Sequence, residues 1–165
     1  MTRSVVEKSL VGSAGEHYVL YQLHLRGMMA ALAPRNAPTV DILVLHADET
    51  IAASLQVKTR RSGTDKGWHM SEKHEQIENP RLFYAFVDLE PSIPLVFIVP
   101  SSIVAEVVRE SHKAFLTTPG RKGQKHNDTA MRRIIPNYPF IVPGYTEGWM
   151  DKYRDQWEQL RRHAL

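Results

Sequence analysis

Apolar and polar positions change their period along the chain, and each change marks an element. Residues 4–27 keep helical spacing up to Gly27, with a weak break expected at Gly12 and Gly15. Met28 to Ala33 is a short apolar run that reads as a first strand, and Pro34 to Pro38 as a turn. Residues 40–46, VDILVLH, read as a strand buried on both faces. The tight polar link Ala47 to Thr50 makes the next segment, 51–59, its hairpin partner, and that segment alternates cleanly. Residues 60–80 are a long polar stretch, partly helical around 71–77. Residues 82–89 and 95–99 are two further apolar strands. Ser101 reads as the N-cap of a helix over 102–113. A short helix is expected over 128–134. A last helix is expected over 147–162, where Trp149, Tyr153, Trp157 and Leu160 fall at helical spacing. The order predicts an α/β domain with a mixed central sheet of about five strands flanked by helices.

Composition narrows the class without changing this picture. The chain has 165 residues, 42% hydrophobic and 24% charged, which is ordinary globular usage. That length predicts a single domain over 1–165, with a core over 1–110 and a C-terminal helical extension over 111–165. There is no cysteine, so disulfides, thiolate metal sites and cysteine nucleophiles are excluded. A reducing, cytoplasmic setting fits, and no apolar run suits a membrane helix. Arg3, Glu7 and Lys8 interrupt the apolar core that a signal peptide would need, so residues 1–10 read as mature structure. Net charge is only +3, yet Arg121, Lys122, Lys125, Arg132 and Arg133 cluster against Asp128 alone. Such a patch either faces an anionic partner or is a solvated loop.

Candidate chemistry begins at Asp41. A carboxylate in the run Val40 to Leu45 either marks the strand's exposed end or is paired, hydrated or metal-bound. On the following strand Ser54, Gln56 and Lys58 share one face and Leu55 and Val57 the other. Alone, that is an ordinary half-exposed strand. The hairpin, however, brings Asp41 beside Gln56 and Lys58. An acid, an amide oxygen and an ammonium together suit a magnesium site for phosphodiester hydrolysis. Asp41 would anchor the ion, with the Gln56 side-chain oxygen and the Val57 carbonyl adding to it. Lys58 would hold the attacking water or offset charge on the phosphorane. On the first helix Val5, Ser9, Gly12, Ser13, Glu16, Leu20 and Leu23 share one side, a small and apolar stripe that would carry Glu16 into the site. Val11, Tyr18 and Tyr21 make a second apolar side, so the direction stays open.

The set Glu16, Asp41 and Gln56-Val57-Lys58 resembles the PD-(D/E)XK nuclease superfamily in its QXK variant. The likeness is to the Holliday-junction-resolvase-like and Mrr-like branches, carried by Gly12-Ser13-Ala14-Gly15-Glu16, Val40-Asp41-Ile42-Leu43-Val44 and Leu55-Gln56-Val57-Lys58. Gly67-Trp68-His69-Met70, Leu82-Phe83-Tyr84-Ala85-Phe86-Val87 and Ile98-Val99-Pro100-Ser101 resemble a group of small uncharacterised bacterial members. The resemblance implies a restriction-endonuclease-like core of a helix, a three-stranded antiparallel meander, a helix and a further strand, over about the first hundred residues. It implies Asp41 as the metal-binding acid, Lys58 as the catalytic lysine, Glu16 as the helical acid and Gln56 in place of the usual second acid. Val40 stands where the family name has proline. The activity implied is a Mg²⁺- or Mn²⁺-dependent endonuclease acting on duplex or branched DNA. The alternative is a weak or inactive nuclease-fold protein that binds nucleic acid.

Other residues carry less. Arg60 and Arg61 directly follow the catalytic strand and suit contacts to a nucleic-acid backbone, as do Lys122, Lys125 and Arg132 in the basic stretch. Asp128 and Arg132 also suit a plain ion pair. Trp68 is expected to pack under its loop, with His69 and His74 solvated. Trp149, Tyr153, Trp157 and Leu160 suit core packing or a two-fold homodimer contact.

Overall fold

The computed structural model describes residues 5–61 and 66–161. Outside them fall the first residue of the helix expected over 4–27 and the last of the one expected over 147–162. Helix α1 (Val5–Leu25) runs unbroken through Gly12 and Gly15. Each interior glycine costs a helix only about 1 kcal/mol, less than the burial of Val19 and Leu23 returns. The helix stops where the sequence says. Gly27 takes a φ of 70°, its N–H donates to His24 O, and Met28 N–H donates to Leu23 O. These two bonds close a left-handed glycine cap.

Strands β1 (Met29–Leu32), β2 (Ile42–Leu45) and β3 (Ile51–Arg60) form an antiparallel meander, with Leu32 opposite Ile42 and Ile42 opposite Leu55. Strand β4 (Trp68–Ser71) leaves this sheet and pairs with β7 (Met131–Ile134) in a two-stranded ribbon. Strand β5 (Leu82–Asp88) returns parallel to β3, and β6 (Leu95–Pro100) pairs antiparallel with β5. The chain is therefore an α/β protein whose mixed five-strand sheet, in the order β1-β2-β3-β5-β6, packs against α1 and a second helix, α2 (Ser101–Thr117). One face buries Val19 and Leu23 of α1 against Ile42, Leu55, Val57 and Val87. The other buries Tyr84, Phe86 and Val99 against Val104 and Val108 of α2 and Trp68 of β4. Every residue of β5 is buried, as a parallel strand covered on both sides requires.

Several expectations give way to this layering. Strand β2 is four residues long and alternates between buried and half-buried, because only the α1 side is fully covered there. On strand β3 the polar face is closed only at Gln56, which is buried, while Ser54 and Lys58 on either side stay half-buried. The polar stretch holds β4 and then a 3-10 turn over Glu72–Glu75. The helix expected over 128–134 is strand β7, whose Arg132 and Ile134 point inward and whose Met131 and Arg133 point outward. Pro100, not Ser101, occupies the N-cap of α2. The Ser101 hydroxyl instead donates to Asn79 O at 2.7 Å and accepts from Asn79 N at 2.8 Å.

The last helix is also absent; 3-10 turns over Asp151–Tyr153 and Trp157–Leu160 replace it. Gly148 and Asp155 take positive φ, which breaks the helical run. Trp149 and Tyr153 then pack on the α2 side, while Trp157 and Leu160 pack on the α1 side. The segment between them straps the β6 edge. Asp155 N–H donates to Val96 O at 3.0 Å and Gln159 Nε2 to Ile98 O at 2.7 Å. That covers backbone groups an edge strand otherwise exposes. Among the described residues no helix is long and apolar enough to cross a membrane.

Candidate functional site

Asp41 lies just before β2, locked between its neighbours. Its N–H donates to Leu55 O at 2.8 Å, and its carbonyl accepts from Ala33 N–H at 2.8 Å. Continuing the β2–β3 register sets it opposite Gln56. Its Oδ2 accepts from Val57 N–H at 2.6 Å, so the carboxylate caps β3 where its ladder with β2 ends.

Glu16 reaches this point from α1. Burial is the main reason its carboxyl is held above the ordinary range; the Asp41 charge adds to the rise, and His17 opposes it. Lys58, half-buried on β3, has its ammonium pushed down by burial and held up by Asp41, with Lys73 pushing down again. Asp41 is thus the common electrostatic neighbour of Glu16 and Lys58. The buried stripe of α1 runs through Gly15, Val19 and Leu23, about a residue away from the stripe the sequence suggested, and Ser9 is exposed. The Val5 side chain lies outside the described ones. Gly15 makes the close approach possible. A Cβ placed there overlaps Thr59 Oγ1 and lies 2.8 Å from its Cγ2.

Gln56 is only 7% exposed, and its Oε1 has no hydrogen-bonding partner among the described residues. Beneath it lies a layer that the sequence did not place beside Gln56. Tyr84 stands opposite Gln56 on β5, and the His74 ring meets the Tyr84 ring edge-on at 5.9 Å. The Tyr84 hydroxyl and His74 Nε2 are likewise buried without partners. Trp68 packs as expected, with Nε1 donating to Val87 O at 3.0 Å, and His69 is exposed. His74 is buried rather than solvated, with Nδ1 3.0 Å from Ser71 O, to which it donates when protonated, and 3.1 Å from Ser71 N–H. Only a parallel β3–β5 pairing brings Gln56, Tyr84 and His74 together, and no local pattern announces it.

Two consequences can be measured. Burial pushes the Tyr84 hydroxyl up to about 12. Removing a buried hydroxyl that has no partner relieves a desolvation cost, so Tyr84→Phe is expected to leave stability unchanged or raise it by up to about 1 kcal/mol. A loss of that size in urea denaturation would show a hydrogen bond at that oxygen. The imidazolium form of His74 is disfavoured first by burial and then by Lys58 and Lys73, against the Ser71 backbone, so its pKa lies below 6.5. In this window the unfolded chain binds the proton and the native one does not. The stability His74 contributes is complete above pH 6.5 and is lost as pH falls through its lower native value. The loss of stability between about pH 7.5 and 5.5 is therefore expected to be smaller in His74→Gln.

The remaining basic candidates are scattered. Arg60 Nε donates to Asp88 Oδ2 at 2.9 Å, and its guanidinium lies 4.3 Å over the Trp68 ring. Arg61 is exposed at the end of β3. Lys122 and Lys125 are exposed on the loop after α2, with no ion pair joining them to the Asp41 cluster. Arg132 is buried, donating to Glu75 Oε1 and to the Thr129 and Met131 carbonyls. Its guanidinium is spent inside the protein, tying β7 to the turn after β4. Among the described residues no three His, Asp or Glu side chains cluster as a metal site. No family model matches the sequence, and no curated protein matches it.

Proposed function

We propose that the chain is a divalent-metal-dependent nuclease of the PD-(D/E)XK type that hydrolyses DNA phosphodiester bonds. The observation that carries the reading is the Asp41 carboxylate, fixed on Val57 N–H and electrostatically coupled to both Glu16 and Lys58. The residues suit Mg²⁺ or Mn²⁺. The Asp41 charge helps to hold the Glu16 carboxyl up, and the buried Gln56 Oε1 lacks a donor among the described residues; a hard cation suits both. Asp41 and Glu16, with Gln56 Oε1 and the Val57 carbonyl, would hold it. When bound, the ion lowers the pKa of water and neutralises phosphate charge.

The chain's own residues do the rest. Asp41 keeps a fixed orientation through its backbone bonds. Lys58, partly withdrawn from solvent, sets a positive charge where the pentavalent phosphorane gathers negative charge. The alternative, a weak or inactive fold that binds nucleic acid, rests on Gln56, because an amide is a poorer ligand than a carboxylate. Supercoiled plasmid and a synthetic four-way junction, incubated with Mg²⁺ or Mn²⁺, separate the two. Nicking that disappears in Asp41→Ala supports the nuclease. Salt-sensitive DNA binding that survives the substitution, with no nicking, supports the alternative.

A further inference from the structure

A cavity of about 510 Å³ opens at the C-terminal end of β3, between the first turns of α1 and the start of β4. Lys8, Lys58, Arg60 and Arg61 line it together with one acid, Glu7, and Val11 and Trp68 are among its apolar walls, so cations outnumber the carboxylate four to one. Lys8 and Arg61 have no acidic partner among the described residues, whereas Arg60 beside them is engaged by Asp88. Lys58 belongs both to this cavity and to the Asp41 cluster, so whatever fills the cavity lies one side chain from the proposed site of hydrolysis.

Resting on the nuclease reading, we infer that this cavity receives one unpaired, phosphate-bearing nucleotide of the substrate strand, so that the preferred substrate presents a single-stranded end. The chemistry is that of a nucleoside monophosphate. Cations at Lys8, Arg61 and Lys58 meet the phosphate, while Val11 and Trp68 supply apolar wall for sugar and base. Size decides against an intact duplex. A volume of 510 Å³ is a sphere about 10 Å across, too small to admit a duplex, of which the major groove alone is about 12 Å wide. It lies within the roughly 300–1,000 Å³ of small-ligand pockets.

The test uses the full chain in EDTA, where hydrolysis is blocked, and internally labelled DNA in fluorescence anisotropy. A single strand of about 16 nucleotides is expected to bind at least about tenfold more tightly than the same sequence as a blunt duplex. Lys8→Glu and Arg61→Glu are each expected to weaken the single strand about tenfold and leave the duplex unchanged, with folding checked by circular dichroism. Deoxyadenosine monophosphate should compete with the strand. Equal or tighter duplex binding, or an equal effect of the substitutions on both DNAs, overturns the inference. Binding of the mononucleotide by calorimetry, with no binding of the strand, overturns it too, and assigns the cavity to a free nucleotide. Cleavage in Mg²⁺ keeps the two readings apart. Single-strand preference without cleavage leaves the cavity assignment standing and removes the nuclease; internal duplex cleavage without that preference does the reverse.

Discussion

Asp41→Ala is expected to lower metal-dependent cleavage by at least about 10²-fold, to the level of a protein-free control. The substitution removes the best-fixed candidate ligand and leaves Glu16 and Lys58 without the charge that links them. It also leaves Val57 N–H without its acceptor at the end of β3, a structural cost of about 1–3 kcal/mol if water does not replace the carboxylate. Lost activity alone would therefore not separate chemistry from folding. Asp41→Asn does. Its amide oxygen still accepts from Val57, so stability is expected to stay near wild type while cleavage remains lost. Lys58→Ala should abolish cleavage to a similar extent yet retain Mn²⁺ binding by calorimetry, because the ammonium is not a ligand. Full cleavage by Asp41→Asn would remove Asp41 from the proposed chemistry. Loss of Mn²⁺ binding in Lys58→Ala would mean that Lys58 holds the site together.

The α1–β1–β2–β3 portion was legible because its signals are local. Gly27 stops the helix, the Ala47 to Thr50 link forces a hairpin, and the hairpin puts Asp41 beside Gln56 and Lys58. The apolar runs that became β5 and β6 needed no partner to be recognised. What escaped depends on contacts far apart in sequence. Strand β4 is four residues long, and its partner β7 begins sixty positions after β4 ends, at Met131. The pair is held by Trp68 and Ile134 in the core and by Arg132 on Glu75. Neither half has a strong period alone. The helical spacing of Trp149, Tyr153, Trp157 and Leu160 misled for a different reason. Two aromatics serve one face of the sheet, and the other two residues the opposite face, as the chain crosses the β6 edge. Spacing records that all four are buried, but not that they are buried in different places. In the same way the charge of Arg132 suggested a nucleic-acid contact, whereas its guanidinium pairs with Glu75, lies 3.9 Å from Asp128, the pair the sequence also offered, and donates to two carbonyls inside the protein.

Gly15→Ala is expected to destabilise the protein by about 1–3 kcal/mol and to lower cleavage as well, whereas Gly12→Ala three residues earlier is expected to stabilise it. Both substitutions relieve the same helix cost, worth up to about 1 kcal/mol. Their surroundings decide the sign. Nothing lies within 4 Å of a Cβ at position 12. At position 15 the new Cβ overlaps Thr59 Oγ1 and sits 2.8 Å from Cγ2 and 2.9 Å from Cβ. Rotating the threonine cannot clear all three atoms, so α1 must lift from β3, and the overlap outweighs the gain in propensity. Glu16 is the next residue, so the same shift draws its carboxylate away from Asp41. Thr59→Ala removes the two outer atoms and leaves only the contact at 2.9 Å. In a double-mutant cycle it should therefore recover much of the stability and part of the activity lost in Gly15→Ala. Stability that returns without activity would mean that Glu16 does not act at the site. If Gly15→Ala melts no lower than wild type, α1 does not owe its close seat on β3 to the missing side chain.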